Sequence, residues 1–353
     1  MRIVITGASG NVGSAVLRRL SPDGHDLVGV VRRPPEAVGP FAGVQWASID
    51  LAAGDVDALT AVVTGADAVV HLAWGFQPSH REDHLRDLGV GGTGTVIDAV
   101  TAAEVPHLVH MSSVGAYSPK RDDEPVDESW PTDGIRTSMY SRHKSAAERR
   151  LDMLERDEPA VTVTRLRPGI VGQGAAGSAL LRYGLPAVVP ARVLSHVPVL
   201  PLDRRLAIPM VHADDVADAV ARVLAARAPG AFNLSAPPTI TAGSIADVLG
   251  ARLVHVPSAA VRATVSASWH ARLQPLDPGW IDLAYAVPLL DTSRARSELG
   301  WTPRRDALSV LAETVAGMQD AASGPSPVLR PRTVAAGVRR ALGRGPVSTR
   351  RTP

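Results

Sequence analysis

Ile3-Val4-Ile5-Thr6-Gly7-Ala8-Ser9-Gly10-Asn11-Val12-Gly13 is the stretch from which the fold is read. A short β-branched run ends in three glycines spaced three apart, and an apolar-periodic stretch at 12–20 follows. Strand, glycine loop and helix in this order suit a dinucleotide pyrophosphate. The first glycine permits a tight turn, the second a close approach of backbone to phosphate, and the third close packing of helix on strand. The positive end of the helix then faces the phosphates. A glycine trio alone is a weak signal, and the flanking strand and helix supply the context it needs. Gly7, Gly10, Asn11, Val12 and Gly13 are therefore the expected phosphate loop.

Outward from this loop the alternation continues. Strand patterns fall at 2–6, 26–31, 44–49, 67–72, 107–112 and 161–166, with helical patterns at 12–20, 55–64, 82–103 and 138–156 between them. Such alternation predicts an α/β fold with a doubly wound parallel Rossmann sheet. The expected organisation is a dinucleotide-binding domain over 1–171 and a smaller, irregular substrate-binding region over 172–320. Rossmann elements return near 207–234, as a helix at 214–226 and a strand at 231–234. The stretch 237–300 is less regular, a last helix is expected at 304–318, and 321–353 is expected to be a basic, disordered tail with a short helix near 334–342.

The 353 residues contain no cysteine, which removes disulfides, thiolate catalysis and Cys-type zinc sites. No secretory pattern opens the sequence and no run of eighteen apolar residues occurs, so no membrane span is expected and the protein is read as cytoplasmic. The basic pI of 9.3 comes from the tail, where seven arginines stand with no carboxylate. Removing them from the formal +2 leaves −5 for residues 1–320, which argues against a nucleic-acid groove. A small-molecule substrate is the expected partner, and a homodimer is compatible with the sequence.

The end of the second strand bears on cofactor choice. An acidic residue there would bind a ribose 2′-hydroxyl, whereas arginine accepts the 2′-phosphate of NADP. Val30-Val31 runs into Arg32-Arg33, so NADP is preferred and NAD is the alternative. Asp50, followed by Leu51, is open to two roles: an adenine contact or a turn cap. Further on, Tyr140 and Lys144 stand four apart on one helix face. A phenol is a poor base at neutral pH, and a nearby cation favours its ionised form. The chain holds only two lysines among 37 basic residues, so position 144 calls for a compact ammonium rather than a planar guanidinium.

With these residues in view, the chain resembles an extended short-chain dehydrogenase/reductase of the epimerase/dehydratase and carbonyl-reductase group. The resemblance runs from Thr6 to about Met318. It includes His71-Leu72-Ala73, Met111-Ser112-Ser113 through Tyr117, Arg165-Leu166-Arg167-Pro168-Gly169, Val211 to Ala217 and Asp291 to Trp301. The resemblance implies Ser113 as the catalytic serine, with Ser112 ranked second, and Tyr140 as acid/base. It implies that Lys144 also holds the nicotinamide ribose, and that Leu51, Leu72, Ala73 and Pro168 contact the cofactor.

The chain departs from that family in three places. Gly89-Val90-Gly91-Gly92-Thr93 replaces an Asn-containing stretch, and glycines 89, 91, 92 and 94 should each weaken a helix by about 1 kcal/mol, so the segment is offset by its surroundings or bends. Leu206 to Met210 lacks the arginine that nucleotide-sugar epimerases carry before their His-Val segment. No Asp-Glu pair follows Ser113, which weakens a sugar 4,6-dehydratase reading. No metal site is expected: His80 and His84 lack an evident third ligand. Asp214-Asp215 reads as an N-cap and helix-dipole partner rather than an acid/base pair. Trp74 and Phe76 line the site or simply pack.

The leading expectation is an NADP-preferring oxidoreductase passing hydride between nicotinamide and a small, fairly apolar carbonyl or alcohol. An NAD-dependent (nucleotide-)sugar epimerase and a non-catalytic dinucleotide sensor are the alternatives.

Overall fold

The computed structural model describes residues 1–75, 82–184, 189–274 and 276–332. Twelve strands occur in it: β1 (Arg2–Thr6), β2 (Asp26–Val31), β3 (Gln45–Ser48), β4 (Ala68–His71), β5 (His107–Met111), β6 (Thr162–Pro168), β7 (Ile170–Gly172), β8 (Val199–Leu202), β9 (Ala207–His212), β10 (Gly230–Leu234), β11 (Ala236–Thr241) and β12 (Arg252–His255). Seven form one parallel sheet in the order β10-β6-β5-β4-β1-β2-β3. Strands covered on both faces read as continuous apolar runs rather than alternating ones. Accordingly β4 and β5 are buried at every position. Two apolar layers flank the sheet, one centred on Ile3, Ile5, Leu17, Phe232 and Trp301, the other on Val4, Leu59, Val100 and Leu151.

The first six sheet strands and the helices Asn11–Leu20, Val56–Val63 and Met139–Asp157 lie within a residue or two of their expected positions. The returning helix Ala213–Ala226 packs beside Asn11–Leu20, and β10 then extends the sheet past β6. The irregular half also holds order that short apolar patterns did not disclose. β7, β9 and β11 form a second sheet, and the helices Ala242–Leu249, Ser258–His270, Gly279–Ala286 and Ser293–Leu299 occupy the stretch read as less regular.

The glycine cluster falls where the helix departs from α geometry. Glu82–Arg86 and Gly92–Ala102 are α-helical, and Asp87–Gly91 between them is a π-helical turn. At Asp214-Asp215 the cap itself is His212, whose ring accepts from Asp214 N at 3.1 Å. Asp215 instead accepts from the Arg304 and Arg305 amides, and Asp214 pairs with Arg18 at 2.7 Å.

The expected tail divides in two. Residues 321–332 pack onto the body, with Ser326 and Leu329 both 2% exposed. Residues 333–353, including the expected short helix, lie outside the described residues, as do Phe76 and His80. Among the described residues no helix is long and apolar enough to cross a membrane.

Candidate functional site

β1 and β4 are neighbours in the sheet although their helices lie on opposite faces, and a crevice opens at their carboxyl ends. There lies a cavity of about 730 Å³. Every cofactor-binding and catalytic candidate named from the sequence borders it.

Its floor is the glycine loop. Gly7 has φ +70°, and a Cβ there would stand 2.7 Å from Ala73 N, so only glycine fits. Gly10 is the N-cap of helix Asn11–Leu20, and Gly13 leaves no room for a side chain against Gly7 O and Ala8. Bare backbone and a helix N-terminus thus face the cavity, which fits a pyrophosphate. Gln173 donates to Asn11 Oδ1 at 2.6 Å and to Asn11 O at 2.7 Å, tying the loop to the chain after β7.

At the end of β2, Arg32 and Arg33 are exposed on the cavity wall. Arg32 Nη1 lies 3.9 Å from Asp50 Oδ2. Asp50 accepts from Ala52 N at 3.1 Å and so caps the turn at Leu51–Ala53, while also bordering the cavity. The two roles left open for it are therefore compatible.

At the other end of the cavity Tyr140 lies one turn before Lys144 on Met139–Asp157, a helix capped by Ser138. Tyr140 shares a hydrogen bond with Ser113. Ser113 Oγ also accepts from Gly115 N at 3.0 Å, which fixes the turn after β5. A Cβ on Gly115 would stand 2.8 Å from Tyr140 Cε1, so the glycine makes room for the phenol ring. Ser112 is turned away and donates to Glu148 Oε1 at 2.5 Å, which disfavours it as the reacting hydroxyl.

The Lys144 ammonium is engaged by Met111 and Trp74. It is buried, donates to Met111 O at 2.8 Å, and sits 3.5 Å from the centroid of the Trp74 ring. Burial pushes the Tyr140 hydroxyl up to about 12, with the Ser113 hydrogen bond drawing it partly back. Desolvation therefore outweighs the lowering expected from a neighbouring cation, and the phenol is protonated at neutral pH. Burial likewise holds the Lys144 ammonium well below its ordinary value, opposed by Glu148.

Beneath the site Glu148 is 1% exposed. Arg167 grips it through Nε and Nη2, both at 2.9 Å, and Arg165 Nε lies 3.0 Å away. Burial would raise this carboxyl, but Arg167, Ser112 and Arg165 hold it below the usual carboxylate range. Tyr117 is fully buried away from the cavity, donating to Asn233 at 2.7 Å and accepting from Arg167 at 3.1 Å. It has no route to a substrate.

Several cavity residues escaped sequence reasoning. Trp280, Leu283, Ala284 and Val287 come from the stretch 237–300, Ile208 and Met210 from β9, and Pro327 to Arg330 from the expected tail. The Tyr140 ring lies 5.2 Å from that of Trp280 at 30° and 6.4 Å from that of Trp74 at 82°. His84 also borders the cavity, without His80 to form a described pair.

The profile of the NAD dependent epimerase/dehydratase family matches residues 3–235, and the chain belongs to that family. An uncharacterized protein of Mycobacterium tuberculosis is 26% identical over 313 residues, covering 87% of this chain and 29% of that protein. The chain thus spans under a third of that relative. The dTDP-6-deoxy-L-talose 4-dehydrogenase (NAD(P)(+)) of Kitasatospora kifunensis is 27% identical over 314 residues, covering 86% of this chain and 91% of that enzyme. Among solved structures, the UDP-glucose 4-epimerase of Thermotoga maritima with UDP-glucose superposes with a TM-score of 0.70 at 20% identity, over 91% of this chain and 99% of that one. At that identity the likeness speaks for the fold.

Proposed function

We propose that the protein is an NADP-preferring oxidoreductase that reduces a small, apolar carbonyl compound, or oxidises the matching alcohol. One observation carries the choice of substrate class. Beyond Ser113 and Tyr140 the cavity is walled by Val114, Ile208, Met210, Trp280, Leu283 and Val287. Ile208 and Met210 stand on the strand where nucleotide-sugar epimerases carry a preceding arginine, so a nucleotide diphosphate finds no cation on that wall. An apolar pocket with a few convergent polar groups suits a small hydrophobic ligand.

In this reading the dinucleotide, seated over Gly7–Gly13, supplies the hydride. Ser113 donates a hydrogen bond to the substrate carbonyl and orients it. Tyr140, kept protonated by burial, transfers its proton to the oxygen as charge develops there. Lys144 leaves the Trp74 face to hold the nicotinamide ribose, which returns a positive charge to the neighbourhood of the phenolate. Arg32 and Arg33 receive the 2′-phosphate. The protein remains a cytoplasmic enzyme in this reading.

The second reading, a sugar epimerase, draws support from the epimerase/dehydratase family match and from Trp74 and Trp280, whose faces suit sugar stacking as well. Net cofactor consumption separates the two. Purified protein is offered aryl and alkyl aldehydes and ketones with NADPH, and nucleotide sugars with NAD+, with reduced nicotinamide followed by absorbance and sugar products by chromatography. Stoichiometric NADPH loss with the apolar carbonyls is expected. Isomerisation of a nucleotide sugar without net loss would establish the epimerase, and cofactor binding with no turnover of any class would favour a sensor.

A further inference from the structure

We propose that residues 324–332 form a strap closing the phosphate end of the dinucleotide cavity, with Arg330 on the strap and Arg182 on the helix beneath it supplying phosphate contacts. The proposal rests on reading the cavity as the dinucleotide site. Pro327 to Arg330 border the same cavity as Ser9 to Gly13, although more than three hundred residues separate them. The strap is built onto the loop rather than draped near it. Ser326 Oγ donates to Ser9 O at 2.7 Å and accepts from Leu329 N at 3.1 Å. Gly324 N donates to Leu329 O at 2.8 Å, which closes 324–329 into a compact turn.

An apolar latch holds it down. Leu329 fills a small cluster with Ala176, Ala179 and Leu180 on and beside helix Gly177–Gly184. Arg182 on that helix donates to Arg330 O at 2.7 Å and to Val328 O, and itself borders the cavity. Further along, Arg332 N donates to Ser178 Oγ at 3.2 Å and Arg332 Nη1 to Val189 O at 2.9 Å. The helix Ala307–Gln319 is set close by: Gly317 packs against Gly174 and Gly177 where no Cβ fits.

Two guanidinium groups thus meet the cavity from the strap and its seat, facing the loop whose amides and helix end already favour anions. Charge-assisted bonds from arginine to phosphate oxygens are among the stronger polar contacts. A dinucleotide bound beneath the strap leaves only when the latch opens, so the strap governs release more than it governs chemistry.

The test measures NADPH affinity and release by nicotinamide fluorescence, with displacement by excess ADP-ribose in stopped flow, on the full chain. Leu329→Asp, which unlatches the strap, should speed release by about tenfold or more, and Leu329→Met should restore the original rate. Ser326→Ala should change it in the same direction by less. Arg330→Gln should weaken NADPH and ADP by about tenfold and leave adenosine binding unchanged, because only the first two carry phosphates. Unchanged release in Leu329→Asp with normal NADPH binding overturns the strap alone. Equal losses for adenosine and ADP in Arg330→Gln overturn the phosphate contact. Failure of the unmodified chain to bind any dinucleotide overturns both the strap and the reading of the cavity.

Discussion

The indole of Trp74 lies against Gly89, where an added Cβ would stand 3.0 Å from Trp74 Cζ2. Gly89 opens the departure from the family's Asn-containing segment, and it belongs to the π-helical turn Asp87–Gly91. The missing side chain is thus replaced by an indole, the same indole that takes the Lys144 ammonium on its face. Gly89→Ala should displace Trp74 and lower turnover while dinucleotide affinity holds. In a Trp74→Ala background the same substitution should have little further effect. A double-mutant cycle checks this, and additive losses would show that the two residues do not act together.

Tyr140→Phe removes one hydroxyl from a buried ring. Turnover should fall by about 10²–10⁴-fold, the usual worth of a positioned proton donor, with cofactor affinity retained. Lys144→Ala should damage both, and Lys144→Arg should not restore them, since a planar fork does not fit where a compact ammonium is packed. Near-full activity in Tyr140→Phe would remove the phenol from the mechanism.

The raised Tyr140 value also has a stability consequence. The folded protein keeps its proton up to about 12, whereas an unfolded tyrosine loses it near 10. Between these values the unfolded state binds fewer protons, so stability falls as pH rises through that window. Tyr140→Phe should flatten that part of the melting profile. A curve of unchanged steepness would mean that the phenol is not shielded as described.

On the acid side the buried histidines act first, before the carboxylates titrate. Burial holds His71 down to about 3, helped by Lys144, and His107 down to about 4, helped by Arg227; His110 is also lowered. Each unfolded histidine takes up a proton below about 6.5 that its folded counterpart refuses, so stability declines as pH falls below that value. At pH 5 the loss is about 2 kcal/mol each for His71 and His107. Thermal melts of His107→Gln should show a shallower acid limb than those of the unmodified protein. An identical limb would shift the acid sensitivity elsewhere.

Cofactor choice is tested at the end of β2. Neutralising both Arg32 and Arg33 should weaken NADP selectively, by about 1.5–3 kcal/mol for lost charge-assisted bonds, and bring its affinity toward that of NAD. Equal affinities in the unmodified protein would remove the preference for NADP.

What was readable in the sequence followed from how far apart the cooperating residues stand in it. Gly7, Gly10 and Gly13, or Tyr140 and Lys144, act within one loop or one helical turn, so their spacing alone carried the geometry. The parallel strands were legible for a similar reason, since burial on both faces writes itself as an apolar run. Trp280 reaches Tyr140 from 140 positions away, and Leu329 stands with Val328 in a short stretch among prolines, serine and arginines. Nothing local marks either as part of a wall. The direction of the Tyr140 shift was misjudged because a helix repeat shows that Lys144 is near, but not how deeply the phenol is buried.

The bond between Ser326 and Ser9 ties the order of synthesis to the making of the cofactor compartment. Ser326 leaves the ribosome 317 residues after Ser9. At about 5–20 residues per second that is an interval of roughly 15–60 s. Throughout it the nascent Rossmann half has its glycine loop but not the wall that covers it. A dinucleotide captured during synthesis would meet an open cleft. The closed compartment belongs only to a chain whose helix Ala307–Gln319 has already docked.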